Sequence, residues 1–533
     1  MFVKATSILT GSAVDSRNIP MSRPSDLLSE RCAQAALRAL QAEPELLSPL
    51  ERMQAPQTYA RIQSRRRQQL ESFLWVDSNP DILERIVDLV LMICEEPNWS
   101  ASGANIDDPS HPSIDAQAAE TGVLLAWIQH RHGAKLKEIC PRLARVTLDA
   151  VRRRLITPML AHDDYPFMRG SGRNAGLILC DLLLCCLLLE SSPARRQQPV
   201  KAILHLLDRH CLTMPNSSLP LADRLTDACA LADIARLLKR LTRGELDLTR
   251  EVPPPGRLDD LIIPWIGGEY FLDPGGSGMH PDIAGMDMFR LGYLNRDRAL
   301  CALGAQLHRS NDRPSASLSG RILSMEYMRA IEDEFSAPPK LKRAQSEDGG
   351  IMVSRVNGLI AAITRGGSRA NCGDITIFAE NNPIFADMGG KIHSLPLLDD
   401  ASPLDKPLQT PACDVDFSEE RDLMTIDLTD AYPEAGGLAA YQRTLMTMRT
   451  DGTVRIVDAF EFMTPPRNVS FCFVCARKPL SLRECVRLGP VSLSWDGDMM
   501  PEIAELPGGM HMLRFVYRDP PRRLICGFRI ERN

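Results

Sequence analysis

"SAPPKLKRAQSEDGG", residues 336–350, is where the chain changes character. Two prolines, a run of charge and a closing Gly-Gly pair carry no hydrophobic period, which marks a linker or domain edge. On its N-terminal side the apolar residues recur at the helical spacing i, i+3, i+4, i+7. "DILERIVDLVLMICEE" (81–96) keeps acids on the opposite face, and "DAQAAETGVLLAWIQHRHG" (115–133) opens on an acidic cap and stops at a Gly. "PRLARVTLDAVRRRLITPML" (141–160) and "LADRLTDACALADIARLLKRLTRG" (221–244) follow the same pattern. On the C-terminal side the period shortens. "DITIFAE" (374–380), "NVSFCFVCA" (468–476) and "HMLRFVYRD" (511–519) read as short strands between turn signals, and "RTDGTVRIVDAFEF" (449–462) reads as a hairpin turning at Asp-Gly. The expected fold is multidomain, helices first and antiparallel sheet second. The boundaries expected are a tail at 1–25, a helical domain at 26–335, the linker at 336–350 and an antiparallel β-sandwich at 351–533.

Composition sets limits on function. The 533 residues are 44% hydrophobic and 24% charged, an ordinary balance for a protein with large buried cores. A net charge of -6 leaves no basic footprint, so nucleic acid is not an expected partner. The "RRR" runs at 65–67 and 152–154 lie in helical patterns with acids nearby and read as solvated helix faces. Fifteen cysteines are scattered with no repeated spacing; one CxxC, Cys472 to Cys475, falls in an apolar strand pattern and lacks the second pair a zinc ribbon needs, and the usage suits a reducing compartment. The longest apolar run, "LILCDLLLCCLLL" (177–189), is too short for a membrane span and contains Asp181. The first twenty residues make a poor signal peptide. A cytoplasmic protein with no membrane partner is expected, and a homodimer is left open.

Several stretches, taken in order, resemble the heparinase II/III-like polysaccharide lyases between about residues 80 and 480. They are "SIDAQAAETGVLLAW" (113–127), "RRRLITPMLAHDDYPFMRGSGRN" (152–174), "GDITIFAENNPIFADMGG" (373–390), "IHSLPLLDD" (392–400), "IDLTDAYP" (426–433) and "YQRTLMTMRTDGTVRIVDAFEF" (441–462). The resemblance implies an incomplete α/α toroid followed by an antiparallel β-sandwich. It also implies β-elimination on an acidic polysaccharide or oligosaccharide. In that chemistry a base takes the C5 proton of a uronate, an acid (typically Tyr) assists the O4 leaving group, and a cation or amide neutralises the carboxylate.

The chain departs from the family where that chemistry would sit. Ala104 stands where the resemblance places a loop His, Asp223 near the position of the catalytic Tyr, and Trp265 where relatives often carry His. The family's His-Asn-His-Asn-Asp run becomes Ala370, Asn371, Cys372, Gly373, Asp374, without either histidine. These departures together imply a diverged active site. The alternative is a non-catalytic carbohydrate-binding or interaction protein on the same fold. Tyr165, Arg169, Arg173 and Asn174 would line the substrate groove of the toroid, or simply form a turn before the next helix, shaped by Gly170 and Gly172. Arg369 would bind a substrate carboxylate from the sandwich, and Tyr270 is the remaining candidate for the acid, although it reads equally as an apolar strand or helix residue. Glu120 reads as a structural hydrogen-bonding group. His162 and His280 are histidines that could be recruited from elsewhere. The family's sandwich metal site maps onto Cys372, Asp387 and His393, a set that zinc accepts. Such an ion would be structural, pinning a loop to the sandwich. The plainer reading makes Cys372 a buried strand residue and His393 a satisfied loop histidine.

Overall fold

The computed structural model describes residues 2–533 except 11–13, 16–17, 20–25, 43–44, 78, 102–110, 170–171, 214–218, 253–257, 273–280, 312, 338–342, 346–349, 366–371, 381, 387–391, 404–410 and 433–436. Ala104, His280, Arg369, Ala370, Asn371 and Asp387 therefore lie outside the described residues. Two compact units emerge. The first comprises Met1–Pro215, Asp223–Pro255 and Ile283–Ala337, and the second Asn216–Ala222, Gly256–Asp282 and Pro338–Asn533. Helices precede antiparallel sheets, in the order that the change of period at 336–350 implied.

The first unit is helical because its segments begin with good caps and bury one face. Pro80–Glu95 starts at Asn79, whose side chain accepts the Ile82 amide at 2.9 Å, and turns Ile82, Leu83, Ile86, Leu89, Val90 and Ile93 inward. Ala116–Ile139 starts at Asp115, which accepts the Ala118 amide at 2.8 Å. This helix does not stop at Gly133. It continues for six residues because Leu136 buries fully in the core, and that burial outweighs the ~1 kcal/mol a mid-helix glycine costs. Between this helix and Pro193–Thr213 packs Ala175–Leu189, apolar on every side and almost wholly buried. Among the described residues no helix is long and apolar enough to cross a membrane.

Three sequence readings of this region need correction. The first ten residues are not a loose tail: Phe2, Ala5 and Leu9 are buried in the helical core, and the Phe2 and Val3 amides donate to Asp208 at 2.5 and 3.0 Å. The arginine runs are not wholly solvated. Arg66 and Arg67 turn inward to Glu96 at 3.2 and 2.8 Å, while Arg154 is buried over the Trp99 ring at 4.9 Å. The third concerns 141–160, which is not one helix. After Leu143–Val151 comes a π-helical turn, Arg152–Ile156, closed by the Thr157 amide donating to the Arg152 carbonyl five residues back. Pro158 explains the wide turn, since it has no N–H for the Arg154 carbonyl, and a last short helix, Thr157–Ala161, follows it.

The second unit holds two antiparallel sheets around one core. One runs Leu480–Ser481, Val486–Leu488, Val491–Trp495, Arg523–Arg532, Val454–Phe462, Leu438–Met448, Arg421–Asp427, Cys413–Phe417. The other runs Pro501–Glu505, His511–Arg518, Asn468–Cys475, Asn382–Phe385, Ile375–Ala379, Leu359–Thr364, Ile351–Val356, Arg343–Gln345, with Leu397–Leu398 also paired to Asn468–Cys475. Aromatic rings join the two sheets: Phe473 meets Phe528 at 4.9 Å, and Phe460 meets Phe471 at 6.2 Å. The hairpin expected at Asp-Gly is present. Gly452 takes φ +75°, which an L side chain adopts only with strain, and the strands pair from Thr447–Val454 onward. A two-stranded hairpin, Trp265–Gly267 with Tyr270–Phe271, lies inside the region read as helical. It belongs to the sheet unit, where Ile263, Ile266 and Leu272 pack on Val353, Ala362 and Phe378.

Candidate functional site

In the helical unit the π turn delivers the chain to His162, and residues 162–174 then cross to the start of Ala175–Leu189. Tyr165 anchors this segment. It is buried, its hydroxyl donates to the Pro112 carbonyl at 2.9 Å, and its ring stacks on Phe167 at 5.6 Å. Its hydroxyl is thus committed to tying 162–165 against 111–112. His111 is brought beside His162 as a result, with ring centroids 4.2 Å apart, and the Tyr165 ring lies 5.0 Å from His111. The His111 Nε2 is 3.1 Å from an Asp164 carboxylate oxygen, an ion-pair distance without hydrogen-bond alignment. His111, His162 and Asp164 each offer one donor atom, all within 4.8 Å of one another.

The rest of the segment is a turn with an exposed cationic edge. Arg169 and Arg173 are exposed. Arg173 Nε lies 2.8 Å from Asp223, again an ion pair without hydrogen-bond alignment. A Cβ at Gly172 would sit 2.8 Å from the Pro166 carbonyl oxygen, so this glycine is dictated by close backbone approach. Asn174 takes the left-handed conformation at φ 57°, and its side chain does not cap the helix. Another residue does. Asp227, buried on Leu221–Leu241, accepts the Leu177 amide at 3.0 Å and faces His210 Nε2 at 3.4 Å. An internal carboxylate already satisfies this helix start, which argues against anion binding there.

In the sheet unit the two described members of the proposed metal set are each engaged. Cys372 is buried and its thiol donates to the Arg365 carbonyl at 2.8 Å. Burial pushes this thiol up to about 12, with Arg365 pulling weakly the other way, so it resists becoming the thiolate that a metal needs. His393 Nδ1 lies 3.0 Å from Asp374, whose other oxygen accepts the Ile375 and Ser394 amides at 2.8 and 2.9 Å. Arg443 then donates to the Gly373 and Ser394 carbonyls at 3.1 and 2.5 Å while gripping Asp458 at 2.7 and 3.0 Å. These bonds tie Gly373, Asp374, His393 and Ser394 to Arg443. Among the described residues neither Cys372 nor His393 joins a three-ligand cluster.

Tyr270 is half-buried in the strand Tyr270–Phe271, packed edge-on against Phe378 at 5.1 Å. Glu120 accepts the Leu318 amide at 2.8 Å and pairs with Arg321 at 3.1 Å, the structural role expected of it. Sequence reasoning missed His111 and Asp164. They are 53 residues apart and follow no ligand spacing; the Tyr165–Pro112 hydrogen bond brings their segments together. The nearest signal was the local run His162-Asp163-Asp164-Tyr165, which already placed a histidine, two acids and a phenol in one loop. A scan of known protein families finds no family model that matches this chain, and no curated protein compared with it is similar.

Proposed function

We propose that the chain is a heparinase II/III-like protein, an incomplete α/α toroid with a β-sandwich, that binds an acidic oligosaccharide or polysaccharide and eliminates it weakly or not at all. The Arg173–Asp223 pair supports this reading best. Asp223 stands near the place where the resemblance expects the tyrosine acid, and it spends its carboxylate on a guanidinium 2.8 Å away. The other phenols considered are also committed, Tyr165 to the Pro112 carbonyl and Tyr270 to packing on Phe378. Elimination needs an acid and a base within reach of one sugar ring, whereas binding needs only cations for the uronate carboxylates. Arg169 and Arg173, exposed on one segment, supply those cations.

Affinity electrophoresis through gels carrying heparan-type or alginate-type chains tests the binding. The chain should be retarded at low ionic strength, and less so at physiological salt, because exposed charge contacts are screened over about 8 Å there. Arg169→Ala/Arg173→Ala should weaken retention about 2–30-fold, from two exposed ion pairs at ~0.2–1 kcal/mol each. Retention that is absent in every gel, or identical in the double variant, would sink the proposal.

A further inference from the structure

We propose that His111, His162 and Asp164 form a binding site for a divalent transition-metal ion of the Zn²⁺ class, independent of the saccharide reading and of the Cys372 segment. Three observations carry it. The donor atoms of the three side chains converge within 4.8 Å of one another. The His111 Nε2 to Asp164 distance of 3.1 Å is close to the ~3.3 Å between two ligands of one tetrahedral ion with bonds near 2.05 Å. The two backbone segments are locked together by a buried contact that does not involve the donors, the Tyr165 hydroxyl on the Pro112 carbonyl.

Donor chemistry selects the ion. Two imidazoles and one carboxylate suit Zn²⁺, Co²⁺, Ni²⁺ or Fe²⁺, whereas Mg²⁺ and Ca²⁺ prefer all-oxygen shells. Closing the wider distances falls mainly to Asp164, whose side chain is 58% exposed and can rotate. Three protein donors leave at least one position for water or a ligand oxygen, the arrangement found in open zinc sites rather than closed structural ones.

The test uses the full chain, stripped with a chelator and titrated with Co²⁺ while visible absorption is followed. One equivalent should bind and give d–d bands. Asp164→Asn and His162→Gln, each checked by circular dichroism for intact helix content, should weaken binding by at least about tenfold. Asp164 is on the surface, so its variant should fold even if the histidine variant does not. Three results would overturn the proposal. One is no uptake by the unchanged chain, which would leave a His–Asp ion pair only. Another is uptake that neither variant alters. The third is an intense near-ultraviolet thiolate charge-transfer band, which would place the ion on a cysteine instead.

Discussion

Replacing Arg443 with Met removes the cation around which the loops of the sheet unit are organised. Its side chain is fully buried, as is that of Asp458, and the two share a bidentate contact at 2.7 and 3.0 Å. Tyr441 adds a third bond to Asp458 at 2.7 Å. The variant leaves the Asp458 carboxylate buried without its cation and strips the Gly373 and Ser394 carbonyls of a donor. Breaking one side of such a pair costs ~3–5 kcal/mol, mostly from the stranded charge. Hydrogen exchange read by mass spectrometry on Leu438–Met448 and Val454–Phe462 suits a chain of two units, since it reports local opening. Exchange of amides protected by that opening should accelerate about 10²–10³·⁵-fold. Adding Asp458→Leu should recover at least ~2 kcal/mol, because no charge then remains buried alone. Peptides from 372–380 and 392–400 should lose protection too, as Arg443 donates to both loops. Acceleration below about threefold in the single variant would refute the reasoning.

His132 gives a prediction with a sign. Burial, offset partly by its bond to the Phe73 carbonyl, lowers it to about 4. The unfolded imidazole titrates near 6.5, so between these values the unfolded chain binds one proton more. Stability therefore rises with pH across this window and is lost on acidification. Between pH 7 and pH 5 the loss is ~2 kcal/mol, and thermal melts of His132→Gln followed by circular dichroism should show a smaller acid shift than the parent; equal shifts would contradict this. Cys372, with its thiol pushed up and buried, should alkylate more slowly in the native chain than the half-buried Cys413 and Cys485. Peptide mass spectrometry after brief iodoacetamide treatment at pH 8 measures this, and rapid labelling of Cys372 would restore it as a ligand candidate.

The order of helix and sheet was legible because hydrophobic period is local, and the dominant period changes from 3.6 to 2 across 336–350. The hairpin at Asp451-Gly452 was legible for the same reason, as turn chemistry is written in adjacent residues. What escaped depends on distant partners. The inward turn of Arg66 and Arg67 needs Glu96, and the π turn at 152–156 needs the geometry around Pro158. The hairpin at Trp265–Phe271 was hidden because its strands are three and two residues long, too short to show a period. For the sites, sequence singled out Tyr165 and His393 but could not see their hydrogen bonds. Tyr165 became a tie to Pro112, and His393 met Asp374, nineteen positions earlier in the chain.

The central claim of the proposal is that an acidic glycan is held and is cleaved weakly or not at all. Its most direct measurement is an ultraviolet progress curve for the unsaturated uronate product, run with excess chain on whichever glycan retards it in the gel. The account predicts absorbance that rises little or no faster than a buffer control over hours, with and without added Zn²⁺. Steady accumulation of product, abolished by changing one histidine or tyrosine of the 162–174 segment, would contradict it and show that the segment carries an eliminating acid or base.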